Sequence, residues 1–326
     1  MARTLFALIF ILSISCKTPK EPVPKFQAVK TVIAHRGASA YLPEHTLESK
    51  AMAYAMNPDY IEQDLVLSRD DVPIVIHDIY LDDVTNVAKV FPNRKRKNGR
   101  YYVIDFSFEE IQTLKVTERF NPETGKQVYP KRFPKGKSSF RLHSLQDEIE
   151  LIQGLNFSSG KNIGIYPEIK NPKFHSENGK DFSKIVLDIL AKYDYNTIAD
   201  KCILQCFDAK ELERIRKELN SKLFLVQLIE SDHETQQLNH FASYANGIAP
   251  WYKQLLSGVA EGNFSFTSLV ENAHKLNLVV HPYTFRSDVL DEFDSFKEMV
   301  NVILYEANAD GGFTDFPDQM KSLIRK

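Results

Sequence analysis

From Val32 onward, apolar residues recur along the chain in two alternating rhythms. Short runs with polar residues at their carboxyl ends fall at Val32–His35, Tyr60–Leu67, Pro73–His77, Ile163–Ile169, Cys202–Phe207, Leu223–Ile229, Gly247–Trp251, Leu278–Thr284 and Gly311–Phe316. Between them, apolar positions return every three or four residues over Leu47–Met56, Leu145–Leu155, Ser183–Tyr193, Ala209–Leu219, Phe266–Leu276 and Phe296–Ala307. The first rhythm suits strands and the second suits helices with one buried face. About eight strand–helix units in roughly 290 residues predict a single α/β domain, a TIM (β/α)8 barrel, although a doubly wound sheet shares the alternation. The rhythm breaks over 81–142, which carries the basic run Asn93 to Gly99 and a Tyr, Pro and Lys-rich stretch around 129–137, with one short helical segment at Phe108–Lys115. This reads as an insertion after the second strand region. In a barrel it overhangs the catalytic face, where substrates are selected; a solvated loop is the alternative.

The amino terminus follows a different pattern. Arg3 precedes a run from Leu5 to Ile14 that is apolar except for Ser13, and Ser15 and Cys16 come before a polar stretch. That order is a signal peptide, and the run is shorter than the about 20 apolar residues of a permanent span. Cys16 after a small residue resembles a bacterial lipobox, with simple cleavage and a buried amino-terminal helix as the alternatives. Residues 1–16 are thus expected to be a signal peptide of lipoprotein type, 17–29 a tether, and 30–326 the barrel. The expected location is outside the cytoplasm, periplasmic or anchored to the outer membrane, with membrane contact only through a lipid on Cys16.

Composition narrows the class further. With 326 residues the chain is roughly twice a usual domain, long enough for two small domains or one barrel. Hydrophobic residues at 43% and charged residues at 26% exclude disordered, collagen-like and multi-span membrane chains. The formal net charge of -2 leaves no global positive field, so nucleic acid is not an expected partner. Cys202 and Cys206, four apart on one strand, stand about 13 Å from each other and are expected to be buried free thiols.

Residues able to do chemistry gather at the predicted strand ends. His35-Arg36-Gly37 closes the first strand, placing a proton carrier beside a forked phosphate donor. Glu62 and Asp64 share one strand face, and hard oxygen donors at a barrel mouth suit Ca²⁺ or Mg²⁺. His77-Asp78 places a second histidine at the same mouth, and two histidines beside a hard cation form the acid and base pair that phosphodiester cleavage needs. Glu168 offers a third carboxylate and Lys170 a cation for phosphorane-like charge. Singly, each also fits a salt-bridged strand end. Gln205 reads equally as a mouth hydrogen-bonder or a strand cap, Trp251 as a wall of the site or a cap on the barrel, and His281 as part of a structural turn. His143, His175, His233, His240 and His274 are expected on the surface.

In order and spacing, His35-Arg36-Gly37, Pro43-Glu44-His45-Thr46, Glu62-x-Asp64, His77-Asp78, Glu168-x-Lys170, Gln205-Cys206-Phe207-Asp208, His281-Pro282-Tyr283-Thr284 and Thr314-Asp315-Phe316-Pro317 resemble the glycerophosphodiester phosphodiesterase family from about Thr31 to the end. His45 stands where that family usually has Asn, as in its secreted, periplasmic-type branch. The resemblance implies a TIM barrel that hydrolyses glycerophosphodiesters to sn-glycerol 3-phosphate and an alcohol. Glu62, Asp64 and Glu168 would hold one divalent cation, Ca²⁺ in periplasmic-type members and Mg²⁺ in others. His35 and His77 would be the catalytic pair, and Arg36, Glu44, Lys170, Gln205 and Trp251 would bind substrate. Two rival readings are a phospholipase on intact or lyso-lipids and a non-catalytic glycerol-phosphate-binding lipoprotein. The first needs an apolar rim that the basic insertion does not offer, and the second has no need of a proton-transfer pair.

Overall fold

The protein, described here by a computed structural model over residues 30–260 and 262–324, turns eight of the nine apolar runs into one parallel barrel. Its strands are β1 (Thr31–Ala34), β2 (Tyr60–Leu67), β3 (Pro73–Val75), β4 (Gly164–Ile169), β5 (Ile203–Cys206), β6 (Phe224–Ile229), β7 (Gly247–Pro250), β8 (Leu256–Ala260), β9 (Asn263–Phe266), β10 (Val279–Val280) and β11 (Gly311–Thr314). The sheet runs β10-β7-β6-β5-β4-β2-β1-β11, and a parallel bridge from Phe285 to Thr314 joins the segment after β10 to β11. The expected signal peptide and tether lie outside the described residues.

Burial on both faces explains why these runs lack a strict polar alternation. One face of each strand meets the helices, among them Leu47–Ala55, Leu145–Ser159, Phe182–Lys192 and Ala209–Lys217, in the main apolar core. The other face fills the barrel with Ile33, Tyr166, Phe224, Val226, Phe313 and their neighbours. Tyr166 packs edge-on against Tyr60 and Phe313, and its hydroxyl pairs with His281 Nδ1 at 3.2 Å. This aromatic plug forms the floor beneath the mouth. Gly164 is required by close approach, since a Cβ there would overlap the Tyr60 ring.

Four expectations are corrected. The run Pro73–His77 is no barrel strand: β3 turns back antiparallel on β2, with Leu65 opposite Val75, and releases His77 just past its end. A short alternating run is apolar enough for either pairing, and only the turn at 68–72 decides between them. Phe266 ends an antiparallel β8–β9 hairpin, so the helix expected from Phe266 begins at Leu269. The stretch from Phe296 is α-helical to Asn301 and continues as a π-helical turn over Val302–Glu306. His143 and His175 are buried, not superficial; His143 pairs with Glu148 at 2.8 Å and His175 stacks near Phe182. Cys202 and Cys206 are buried free thiols, as expected.

Residues 81–142 are also more than a solvated loop. Leu81, Val87, Val103, Phe106, Ile111 and Leu114 form a second core with Val66, Ile74 and Ile76 of the β2–β3 hairpin. The basic run is neutralised locally. Arg96 grips Asp105 with two bonds of 2.7 Å, Arg100 reaches Asp82 and Asp83, and Arg94 reaches Glu110. Each of the three guanidinium groups also lies over an aromatic ring, so the charge count along the sequence overstates the free positive surface.

Behind β2, Lys50 is fully buried. Its ammonium bonds the backbone carbonyl of Glu62 and pairs with Glu148 at 3.1 Å, while Gln63 donates to the same Glu148 oxygen at 2.7 Å. Removing one partner of such a pair leaves a charge uncompensated in the interior. Lys50→Met is therefore expected to lower the unfolding free energy by about 3–5 kcal/mol in urea titration, and a loss below ~1 kcal/mol would show that the pair does not anchor this strand.

Candidate active site

Strand register assembles the mouth. Asp64 of β2 lies beside Glu168 of β4, and Glu168 lies beside Gln205 of β5. With Glu62, two residues back on the same strand face, ligand oxygens of Glu62, Asp64 and Glu168 fall within 4.8 Å of one another. β1 ends at Ala34, and the chain turns sharply there, with Arg36 at φ 57° and Gly37 at φ 95°. A Cβ on Gly37 would meet Ser49 Oγ at 2.7 Å, so this turn needs both the conformation and the space of glycine. It delivers His35 over the triad, and the Arg36 amide donates to Glu62 Oε2 at 2.9 Å.

Three buried carboxylates so close together repel one another. Burial and the charges of Asp64 and Glu168 push Glu62 well above the ordinary carboxyl range. Burial likewise lifts Glu168 to about 8, against the pull of Lys170. Burial also opposes ionisation of Asp64, but Lys170 and the hydrogen-bonded His45 outweigh it and hold that carboxyl well below its ordinary value. Asp64 Oδ1 and Gln205 Oε1 are buried and accept no hydrogen bond. A hard divalent cation would relieve the repulsion within the triad and give Asp64 Oδ1 a partner, and the three-carboxylate donor set fits Ca²⁺ or Mg²⁺.

Both histidines are oriented through the same nitrogen. His35 Nδ1 lies 2.5 Å from Asp315 Oδ1, and His77 Nδ1 lies 2.9 Å from Asp78 Oδ1. Asp315 stays well below its ordinary range, because Arg286, His35 and Arg132 outweigh its burial. Asp78 is also lowered, as His77 and Arg119 outweigh its burial. Both carboxylates are therefore ionised acceptors and each Nδ1 is a donor, which turns His35 Nε2 toward Glu62 Oε2 at 3.8 Å and His77 Nε2 toward the Lys170 ammonium at 3.5 Å. Burial, reinforced by Arg36, lowers His35 to about 4. Burial with Arg36 and Lys170 lowers His77 to about 3.

A cavity of about 200 Å³ lies above the triad, lined by both histidines and by Arg36, Lys170 and Trp251, with Tyr283 in the far wall. His77, Lys170, Phe207 and Tyr283 also line a second, outward-opening groove. Of the residues expected to bind substrate, Arg36, Lys170 and Trp251 face the cavity. Glu44 and Gln205 do not line it. Gln205 donates to Glu62 Oε1 at 3.0 Å, and both Glu44 oxygens are taken by Arg36 and Arg119.

Several neighbours of the chemistry escaped sequence reasoning. Asp78 and Asp315 sat inside quoted motifs, and the adjacency of Asp78 to His77 was a usable signal. Arg286 donates to Asp315 Oδ2 at 2.7 Å from the loop after β10. Arg119 and Arg132, from 81–142, had no local signal, because their partners lie 41 and 183 residues away.

The barrel, the carboxylate triad and the paired histidine–aspartate dyads together form an arrangement that could carry out phosphodiester cleavage. Residues 35–319 match the model of the glycerophosphoryl diester phosphodiesterase family. A glycerophosphodiester phosphodiesterase of Haemophilus influenzae is 45% identical over 98% of this chain and 96% of its own. One from Treponema pallidum is 36% identical over 89% and 90%. Among solved structures, a phosphodiesterase of Oleispira antarctica in complex with sn-glycerol-3-phosphate superposes with a TM-score of 0.62 at 19% identity, covering 90% of this chain and 96% of that one. A glycerophosphodiester phosphodiesterase of Agrobacterium tumefaciens gives 0.60 at 20%, covering 90% and 99%. The chain belongs to the glycerophosphoryl diester phosphodiesterase family and is an enzyme of that class.

Glu118, next to Arg119, is buried with one oxygen accepting no hydrogen bond. Burial and the charge of Glu44 push its carboxyl up to about 8. The unfolded chain releases this proton near pH ~4.3 and the folded protein only near 8, so its contribution to stability is largest below pH ~4.3 and falls as pH rises between the two. Glu118→Gln stays neutral throughout. It is expected to melt above the wild type at pH 8.5 and level with it at pH 4.5; a gap of equal size at both would refute the assignment.

Proposed function

We propose that this enzyme hydrolyses glycerophosphodiesters such as glycerophosphocholine and glycerophosphoethanolamine to sn-glycerol 3-phosphate and the free alcohol, with one divalent cation, Ca²⁺ before Mg²⁺, held by Glu62, Asp64 and Glu168. The observation that carries this reading is the convergence of two aspartate-oriented histidines on the cavity that the triad floors. The product bound to the Oleispira antarctica relative supports the same substrate class.

In this reading, His35 Nε2 takes the proton of the glycerol 2-hydroxyl, whose oxygen attacks phosphorus. The P–O bond to the alcohol breaks, and His77, taken to the imidazolium by the phosphate anion that enters beside it, gives its Nε2 proton to the departing alkoxide and returns to the neutral, Nδ1-protonated form. Water then opens the cyclic phosphate in the reverse sense, with the protons returned. An internal nucleophile is already held near phosphorus, which removes most of the entropic cost of encounter. Two features support this order of action: His77 lines both the cavity and the adjoining groove, where a leaving group has room, while His35 lines the cavity alone. Arg36 and Lys170 meet the phosphate oxygens, and Trp251 walls the glycerol. When bound, the cation supplies charge neutralisation at the phosphate and acidifies a hydroxyl near it.

A lipid substrate is less well supported. Among the described residues, Trp251 is the one large, exposed apolar side chain that also lines the cavity. The amino-terminal sequence supports a place outside the cytoplasm, periplasmic or tethered to the outer membrane by a lipid on Cys16.

Release of sn-glycerol 3-phosphate from glycerophosphocholine is expected with Ca²⁺, to stop with EDTA and to return on adding Ca²⁺. His77→Ala should cost about 10²- to 10⁴-fold in kcat. Release that persists unchanged in EDTA would remove the cation from the reading. Ca²⁺ should also raise the melting temperature of the wild type and leave Glu62→Gln unmoved; equal shifts in both would count against these ligands.

A further inference from the structure

We propose that the 81–142 segment belongs to the catalytic apparatus and supplies one positioning arginine to each proton-transfer histidine, Arg119 for His77 and Arg132 for His35. The inference rests on the reading that these two histidines move the protons.

The two arrangements match in design and share no residue. In the first, Asp78 turns one oxygen to His77 Nδ1, and its other oxygen receives Arg119 Nη1 at 2.6 Å. Arg119 is itself fixed by Glu44, through Nε at 3.0 Å and Nη2 at 2.6 Å. In the second, Asp315 turns one oxygen to His35 Nδ1, and its other receives Arg132 Nη2 at 2.7 Å together with Arg286. Arg132 is fixed by Asp288, with contacts of 2.9 and 3.1 Å, and lies 3.7 Å over the Tyr129 ring. Each guanidinium thus spends a forked pair of donors on an anchoring carboxylate and reaches the dyad with a nitrogen of the same rigid plane.

This geometry has a chemical consequence. A lone carboxylate beside an imidazole can rotate about χ2 and loses its preference for one tautomer. Arginine on the second oxygen fixes the carboxylate plane and keeps it ionised, so the imidazole stays Nδ1-protonated with Nε2 aimed inward. Neither Arg119 nor Arg132 lines the substrate cavity, so both act through the aspartates and not by touching substrate. The second apolar core explains how a segment without long regular elements holds Arg119: Val116 and Thr117, just before it, pair with Phe140 and Val84 backbones at 2.9 and 2.8 Å, and Val116 and Val84 are both members of that core.

The two arginines differ in what they affect. Loss of Arg119 weakens proton donation to the leaving group, which matters for an alkoxide and little for a nitrophenolate. Loss of Arg132 weakens activation of the attacking hydroxyl, which every substrate shares. The test uses the full-length protein with Ca²⁺ and two substrates, glycerophosphocholine and the p-nitrophenyl diester of glycerol phosphate. Arg119→Ala is expected to lose about 10- to 100-fold in kcat on glycerophosphocholine with KM unchanged, and to keep near wild-type kcat on the nitrophenyl diester. Arg132→Ala is expected to lose a similar factor on both. Equal losses on both substrates for Arg119→Ala, or no loss for either variant, overturn the proposal.

Because Arg132 is buried, Arg132→Lys provides a second measurement. The His35 Nδ1 proton, on its 2.5 Å contact to Asp315, should give a far-downfield proton resonance in wild type. It should move in Arg132→Lys and stay in Arg119→Lys; a resonance unmoved by Arg132→Lys overturns that half of the proposal. Arg141, exposed in the same segment and bonded to the Thr113 carbonyl, serves as control, with Arg141→Ala retaining both activities. A wild type inactive on both diesters would instead remove the functional reading on which the proposal stands.

Discussion

Three buried carboxylates packed within 4.8 Å at the mouth of a barrel set the terms for everything around them. Left alone they cannot all stay ionised, and the upward shifts of Glu62 and Glu168 register that cost. The surroundings distribute compensation unevenly. Lys170 and His45 secure Asp64, Gln205 and the Arg36 amide bond Glu62, and buried oxygens of Asp64 and Gln205 remain without donors. Such a site is built to be completed by a cation. The neighbouring cations, Arg36 and Lys170, line the same cavity and add positive charge beside the triad.

The same electrostatic field shapes the two histidines. Surrounded by cations and buried, each is held below its ordinary pKa, and each is kept in one tautomer by an aspartate that its arginines keep ionised. The two histidines thus differ by position and not by residue type. His77 lines both the cavity and the adjoining groove, and His35 lines the cavity alone. The 81–142 segment, which on composition looks like a basic overhang, spends its charges inward on Asp82, Asp105, Asp78 and Asp315.

Reading the chain by periodicity recovers the barrel because each strand is buried on both faces and each helix on one, so both periods survive in the sequence. It fails where pairing direction matters. Pro73–Val75 has the apolar density of a barrel strand, yet its short turn brings it back antiparallel on β2. It also misjudges His143 and His175, since a histidine satisfied by Glu148 or packed on Phe182 carries no mark of burial in its neighbours along the chain.

What the sequence by itself determined is whatever depends on residues close together in the chain: the strand–helix alternation, the same-face pair Glu62 and Asp64, and strand ends carrying His35, His77, Glu168 and Lys170. Those features are set by backbone periods of 2 and 3.6 residues, which are local. Only the tertiary structure decided the register that puts Asp64 beside Glu168, the closure that brings Asp315 280 residues to His35, and the arginines that complete each dyad. A hydrogen bond constrains two atoms in space but leaves no period in the chain, so contacts of this kind become visible only once the barrel has closed.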